Sequence, residues 1–389
     1  MIHLIRPLVY VTRDIERALG MKPEGSFYVV TNNTAFGRES QRQSPENIVL
    51  VKSREILDTD DILVRKETVD LISSLKADVV VFMPTPRTER IAKELGCDLL
   101  NPSALLARKI EEKISQIRWL AEDAKLLPPH RICAVKDVPF DGKKFVLQFN
   151  HSHTGEGTFV IDDEKVLKHL QVKFPNRECR VVEFIEGPIF TVNSVVAGKT
   201  IAVGNPSYQI TGLKPFTDLP FSTIGNDWSL PRDPKYKSAY EDTKKIAKTI
   251  GARLQKDGWK GLFGIDVVFD QKTRKTYLLE INARQPASAV FESWLQREGT
   301  IFEAHIKALL GISAGKVKEI ESGAQIVKRI TEPSFLVDKG TLSAKGFDVM
   351  AYENTDHNKE LFRIQSSKGI MKDHNTFNDS GESITSCIR

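Results

Sequence analysis

The stretch Gly261–Pro286, GLFGIDVVFDQKTRKTYLLEINARQP, holds two apolar runs, Ile265–Phe269 and Tyr277–Ile281, on either side of a polar turn at Asp270–Lys275. Apolar runs bounded by turn residues predict a β-hairpin. Acids stand inside those runs, Asp266 in the first and Glu280 near the end of the second. Asn282 follows Glu280 at two residues, so on a strand both point to one face. An in-register hairpin then brings three oxygen donors to one spot. A small set of hard oxygen donors suits Mg²⁺, which keeps waters and shares phosphate oxygens with a nucleotide. Arg284, two residues further, adds a planar cation suited to a phosphate or carboxylate. Either acid alone reads as an ordinary solvated residue on a strand face. Set together in Val/Ile/Leu runs, they need a cation or hydrogen-bond donors. The metal–phosphate reading accounts for the combination.

The pattern D-x-V…LLE-I-N-x-R resembles the metal-binding end of the ATP-grasp superfamily, most closely its carboxylate–amine ligase, biotin carboxylase and carbamoyl phosphate synthase branch. The resemblance implies that Asp266 and Glu280 hold Mg²⁺ (or Mn²⁺), that Asn282 supports it, and that Arg284 lies on the substrate side. It also implies an α/β ATP-grasp fold: an N-terminal parallel α/β domain, a two-subdomain ATP-grasp module and a short C-terminal β segment. The expected divisions are 1–104, 105–190 with a glycine loop, 191–330 with the metal site, and 331–389.

Composition sets outer bounds. A chain of 389 residues is too long for one ordinary core. Hydrophobic residues at 40% and charged residues at 28% describe a soluble globular protein. A net charge of +5 comes from interspersed acids and bases, without the basic, aromatic-laced stripe of a nucleic-acid binder. Cys97, Cys133, Cys179 and Cys387 lack CxxC spacing, which argues against zinc and against a disulfide framework. The first apolar run carries charges and does not read as a signal peptide. No run approaches the roughly 20 apolar residues of a membrane span. A reducing cytoplasm is the expected compartment.

Residues 1 to about 104 alternate strand-like runs (Leu8–Val11, Phe27–Thr31, Ile48–Val51, Val79–Met83) with helical ones (Thr68–Leu75, Thr88–Leu95), which predicts a small parallel sheet. No dinucleotide fingerprint follows the first strand. Pro84-Thr85-Pro86 reads either as the rim of a binding crevice or as a rigid turn. Ser103–Ala124 reads as a helix capped by Ser103 and stopped at Pro128-Pro129. Its Lys113 reads as a surface residue on spacing alone; the resemblance places it on the nucleotide phosphates.

Two strand runs, Phe145–Phe149 and Thr158–Ile161, enclose HSHTGEG, where Gly155 and Gly157 let backbone N–H groups close on phosphate oxygens. The resemblance makes this the phosphate-covering loop, although relatives are usually richer in glycine. It also marks a departure: the strand lysine that touches phosphate in the family is Gln148 here. Compensation by a nearby cation or a loop histidine is expected. His151 and His153 lack further zinc ligands at suitable spacing.

Arg180–Val196 reads as strand, break at Gly187-Pro188, and strand. It is either a plain hairpin or, by the resemblance, the hinge that clamps adenine, with Glu183, Phe184 and Ile185 reading the base. Asn205–Pro234 reads as a long irregular segment on the substrate rim. Helices are expected at Ala239–Lys256 and Phe302–Leu310. Arg329 follows an apolar strand, and the resemblance places it beside the substrate acid. The tail reads as short strands, polar and mobile from Asn375.

The resemblance thus implies an ADP-forming ligase in which ATP activates a carboxylate as an acyl phosphate and an amine displaces the phosphate. The partners are small-molecule acids and amines, with neither nucleic acid nor membrane, and a homodimer is compatible. Two alternatives stay open: activation of bicarbonate as in biotin carboxylase, and a Mg·ATP-binding sensor with weak turnover, which Gln148 favours.

Overall fold

The N-terminal strands are nearly uninterrupted Val, Ile and Leu, as strands covered on both faces must be. In the computed structural model, which describes residues 4, 6–150, 157–332 and 337–388, they are β1 (Leu8–Val11), β2 (Phe27–Asn32), β3 (Ile48–Val51) and β4 (Asp78–Val81). They form a parallel sheet in the order β3-β2-β1-β4. Val9, Val11, Val30 and Val79 pack against Ile62, Leu63, Ile72 and Ile91 on one face. Leu8, Tyr10, Phe27 and Val80 meet Phe302, Ile306 and Leu309 on the other. Pro84-Thr85-Pro86 is the rigid turn: Thr85 caps the helix Pro86–Leu95, whose first residue is the proline.

The next unit is a four-stranded antiparallel sheet of β5 (His130–Ala134), β6 (Phe145–Phe149), β7 (Thr158–Ile161) and β8 (Glu178–Glu183), in the order β5-β8-β6-β7. Phe145, Leu147, Phe149, Cys179 and Val181 turn toward Leu167 and Leu170 of the helix Glu164–Lys173. Strand alternation sends Val146, Gln148, Arg180 and Val182 to the opposite face.

The third sheet has nine antiparallel strands: β9 (Ile189–Ala197), β10 (Thr200–Val203), β11 (Ser207–Thr211), β12 (Thr223–Asp227), β13 (Gly261–Asp270), β14 (Lys275–Asn282), β15 (Ala324–Arg329), β16 (Asp348–Ala351) and β17 (Glu360–Ser366). Their order is β14-β13-β9-β11-β12-β15-β17-β16, with β10 added at β9. The helix Lys237–Lys256 covers one face through Ile246, Ala247, Ile250 and Leu254. The helix Ile301–Leu309 lies between two sheets. Its Ala304 and Ala308 meet Val195 and Leu262, while Phe302, Ile306 and Leu309 fill the N-terminal core.

Four expectations change. Ser103–Ala124 is not one helix: Ser103 does cap Ala104–Glu111, but the backbone turns extended at Glu112 before a second helix, Lys113–Leu120. The Ser115 hydroxyl and the Asn150 side chain satisfy the groups freed at that break. Arg180–Val196 is not a hairpin, because β8 and β9 belong to different sheets and the Gly187 turn joins them. Asn205–Pro234 contributes β11 and β12 to the middle of the large sheet, hidden in the sequence by flanking Gly and Pro.

The tail is ordered. Asn378 caps the helix Asp379–Thr385, and Ile384 and Cys387 are buried. Buried Asp227 accepts backbone hydrogen bonds from Ser229, Leu230, Ile370 and Met371, tying the tail to β12. Among the described residues, no helix is long and apolar enough to cross a membrane.

Phe302 is fully buried where the N-terminal sheet meets the rest. Phe302→Ala is expected to destabilise the protein by about 3–5 kcal/mol, as for a large core truncation. Phe221→Ala, at a side chain 61% exposed, should stay within roughly 0.5 kcal/mol. Urea unfolding midpoints of the two variants check the contrast.

Candidate functional site

β13 and β14 pair as the sequence predicts, and the register sets Asp266 directly opposite Glu280 and Gly264 opposite Asn282. A bulge at Leu279 shifts the register just beside this pair, the kind of irregularity that re-aims side chains near sites. Asn282 Nδ2 donates to Asp266 Oδ2 at 3.2 Å, and Thr191, opposite Asp266 on β9, hydrogen-bonds to it as well. The three predicted oxygen donors do meet.

Lys113 begins the second helix after the break, and its Nζ lies 2.9 Å from Glu280 Oε1 with the lysine side chain only 12% exposed. Glu112 is fixed by Asn150 Nδ2 at 2.7 Å, and Asn150 Oδ1 accepts from the backbone N–H of Ile114 at 2.8 Å. Asn150, the last residue of the β6 arm before the loop, therefore sets where Lys113 points. Arg284 pairs with Glu111 on the preceding helix.

Charges alternate through the cluster, and they shift one another's titration. Burial, with Glu280 adding repulsion, pushes the Asp266 carboxyl up to about 6. Burial also acts to raise Glu280, but Lys113, followed by Arg284 and Arg180, outweighs it and holds Glu280 below its ordinary range. The Glu280 side chain keeps 38% of its surface open, so the pair is reachable from solvent rather than sealed in a core. Burial raises Glu111 despite its pairing with Arg284.

The remaining sequence candidates fall as follows. Gln148 sits on the outward face of β6 beside Arg180, its amide 3.4 Å from the Thr158 hydroxyl. The Gly157 carbonyl accepts from the Phe149 N–H, while His151, His153 and Gly155 lie outside the described residues. The Glu183 N–H is taken by the Pro129 carbonyl. Lys144 Nζ stands 4.0 Å from the centre of the Phe184 ring, and Ile185 is half-buried. Gly187 is required by a close approach, since a Cβ there would lie 2.1 Å from the Phe269 carbonyl.

Arg329 is not brought to the carboxylate pair. It donates to the Asn358 carbonyl at 2.8 Å and adjoins Glu360 in a second cluster with Glu16, Arg17, Tyr352 and Arg363. Gln285 links the two clusters: it accepts from the Tyr10 hydroxyl and donates to the Arg17 carbonyl, both at 2.7 Å. Sequence reading also missed Arg180, Glu111 and Thr191. Nothing local marked Arg180, which alternation places on the face away from Cys179 and Val181.

Residues 110–288 match the family model of the ATP-grasp domain. Among solved structures, the chain is similar to N5-carboxyaminoimidazole ribonucleotide synthetase from Thermotoga maritima, with a TM-score of 0.65, 15% identity, and 98% of each chain covered. It is similar to N5-carboxyaminoimidazole synthase from Aspergillus clavatus, solved with ADP and 5-aminoimidazole ribonucleotide (TM-score 0.66, 14% identity, 98% of this chain and 97% of that one). Phosphoribosylamine–glycine ligase from Thermotoga maritima is a third, at TM-score 0.64 and 12% identity over 99% and 97%. At such identities the likeness is one of fold. No curated protein matches the chain by sequence.

An acid whose folded pKa lies above its unfolded value, about 3.9 for Asp, binds more protons folded than unfolded between the two. Stability then falls as pH rises through that window. With chelator and no nucleotide, Asp266→Asn is therefore expected to stabilise the protein at pH 7 by about 1–2 kcal/mol, within the roughly 1.4 kcal/mol that each pKa unit represents. The gain should disappear near pH 4. Denaturation midpoints measured from pH 4 to 8 check it, and a difference that does not vary with pH contradicts it.

Proposed function

We propose that this protein is an ADP-forming ligase that activates a carboxylate with ATP and passes the acyl group to an amine. The observation that carries the reading is the Asp266–Glu280 pair, with Lys113 on Glu280, within residues that match the ATP-grasp domain model.

The donor set fits Mg²⁺ shared with phosphates. Two carboxylates and one amide leave room for waters and phosphate oxygens, and a dication between Asp266 and Glu280 would relieve the repulsion that raises Asp266. When bound, the ion supplies neutralisation of phosphate charge.

Phosphoryl transfer asks the protein mainly for positioning and charge. Lys113 would leave Glu280 for the phosphates, Gly157 would lie beside them, and Phe184 and Ile185 of the intersheet connector would flank the base. The substrate carboxylate oxygen attacks the terminal phosphorus, and ADP departs. The amine then attacks the acyl carbon, loses a proton and expels phosphate. Arg284 would exchange Glu111 for the acid, and Arg329 would serve from the neighbouring cluster. The names of the similar proteins, a carboxyaminoimidazole synthase and a glycine ligase, favour small acids and amines, bicarbonate included. Cys133 and Cys179 stand directly opposite each other on β5 and β8 as free thiols, in keeping with a reducing compartment.

Two results are expected. Mg·ATP at about 100 times its Kd should add roughly 2.7 kcal/mol of stability, read as a raised unfolding midpoint; an unmoved midpoint contradicts nucleotide binding. Glu280→Gln should reduce acid-dependent ADP release at least about 100-fold, the loss typical of removing one electrostatic contact to the transition state, with the melting curve kept. Wild-type protein that binds Mg·ATP but releases no ADP with any acid and amine tried would point instead to a sensor.

A further inference from the structure

Three cations act on Glu280: Lys113, Arg284 and Arg180. Lys113 is paired with Glu280 itself and Arg284 with Glu111. Arg180 differs. Its side chain is 1% exposed, yet Nε and Nη1 have no hydrogen-bond partner among the described residues. A buried guanidinium with two nitrogens left without hydrogen bonds is a costly arrangement, and such an orphan calls for a ligand that the protein alone does not provide.

The fold shows where this group faces. Arg180 lies on β8 directly opposite Gln148 of β6, and directly opposed residues project to the same side of a sheet. That side is the reverse of the one carrying Leu147, Phe149, Cys179 and Val181 into the hydrophobic core. The helix Lys113–Leu120 packs against both β6 and β8, and its Lys113 pairs with Glu280 of β14. Burial lowers the guanidinium to about 10 and Glu280 opposes the change, so the group stays charged at neutral pH. Gln148 brings no charge to this face. A planar fork with free nitrogens is matched to phosphate oxygens.

We propose that Arg180 is a ligand of the nucleotide phosphates, reaching from β8 across the position of Gln148 to the oxygens that the Asp266–Glu280 side holds through its metal. The assignment rests on the nucleotide-binding reading above and adds to it the residue that carries charge on the opposing sheet.

The test measures binding of ADP with Mg²⁺, and of adenosine, to the full chain by calorimetry. It compares wild type, Arg180→Met, Arg180→Lys and the double variant Gln148→Lys/Arg180→Met. Removing a buried, unpaired charge in favour of an apolar side chain should keep or raise the melting temperature. Arg180→Met is expected to weaken ADP at least 30-fold while adenosine, which lacks phosphate, changes less than threefold. The double variant, with a cation restored on the neighbouring strand, should recover most of the ADP loss, and Arg180→Lys should lie between.

ADP binding equal to wild type in Arg180→Met overturns the assignment and leaves the nucleotide site standing. Parallel losses of ADP and adenosine also overturn it, making Arg180 a packing residue. If Arg180→Met melts early, Arg180→Lys and the double variant decide, since a packing role predicts no rescue by Gln148→Lys. Wild type that binds neither ADP nor ATP overturns both this inference and the functional reading.

Discussion

Two carboxylates held face to face on adjacent strands repel each other, and the Asp266–Glu280 pair imposes that cost on the hairpin at the edge of the large sheet. What surrounds the pair answers it with positive charge from separate elements. Lys113 comes from the start of a helix, Arg284 from just beyond β14, and Arg180 from a different sheet. None of these is close to both acids in sequence, so tertiary structure must hold them there. The broken helix after Ser103 makes sense in this light. Continuous α-helix through Glu112 would place Lys113 elsewhere, whereas the extended residue, fixed by Asn150, turns its side chain onto Glu280.

The junctions are built with matching economy. Gly187 lets the intersheet connector run against the end of β13, where any side chain would strike the Phe269 carbonyl. Gly264 makes room for Pro286 beside Asn282. Gln285 then ties the residue after Arg284 to Tyr10 and Arg17, so the N-terminal sheet is registered against the β13–β14 hairpin by hydrogen bonds. Behind this the helix Ile301–Leu309 offers small residues to one sheet and large ones to the other. The carboxylate pair is thus bordered by elements that pack on shared cores.

Local chemistry decided which parts could be read in the sequence. The hairpin was legible because a polar turn separated two apolar runs and the acids broke the pattern at telling places. The N-terminal sheet was legible because doubly covered parallel strands are apolar throughout. The strands at Ser207–Thr211 and Thr223–Asp227 were not, since Gly, Pro and Asn around them outweighed short apolar stretches. The tail looked mobile because its order depends on Asp227, some 150 residues away, and on an Asn378 cap. Arg180 passed as an ordinary strand residue, because only the pairing of β8 with β6 sets it beside Gln148, and only its burial shows Nε and Nη1 without partners among the described residues. Arg329 was read as following an apolar strand; it is the last residue of that strand, which lies five places from β14 in the sheet.

The central claim is that a divalent ion and a nucleotide meet between Asp266 and Glu280. Crystals grown with ADP and Mn²⁺, with data collected at the manganese absorption edge, test it most directly. The account predicts an anomalous peak at coordination distance from both carboxylates, with ADP phosphate oxygens completing the sphere. A manganese peak elsewhere, or nucleotide bound away from this hairpin, would contradict it.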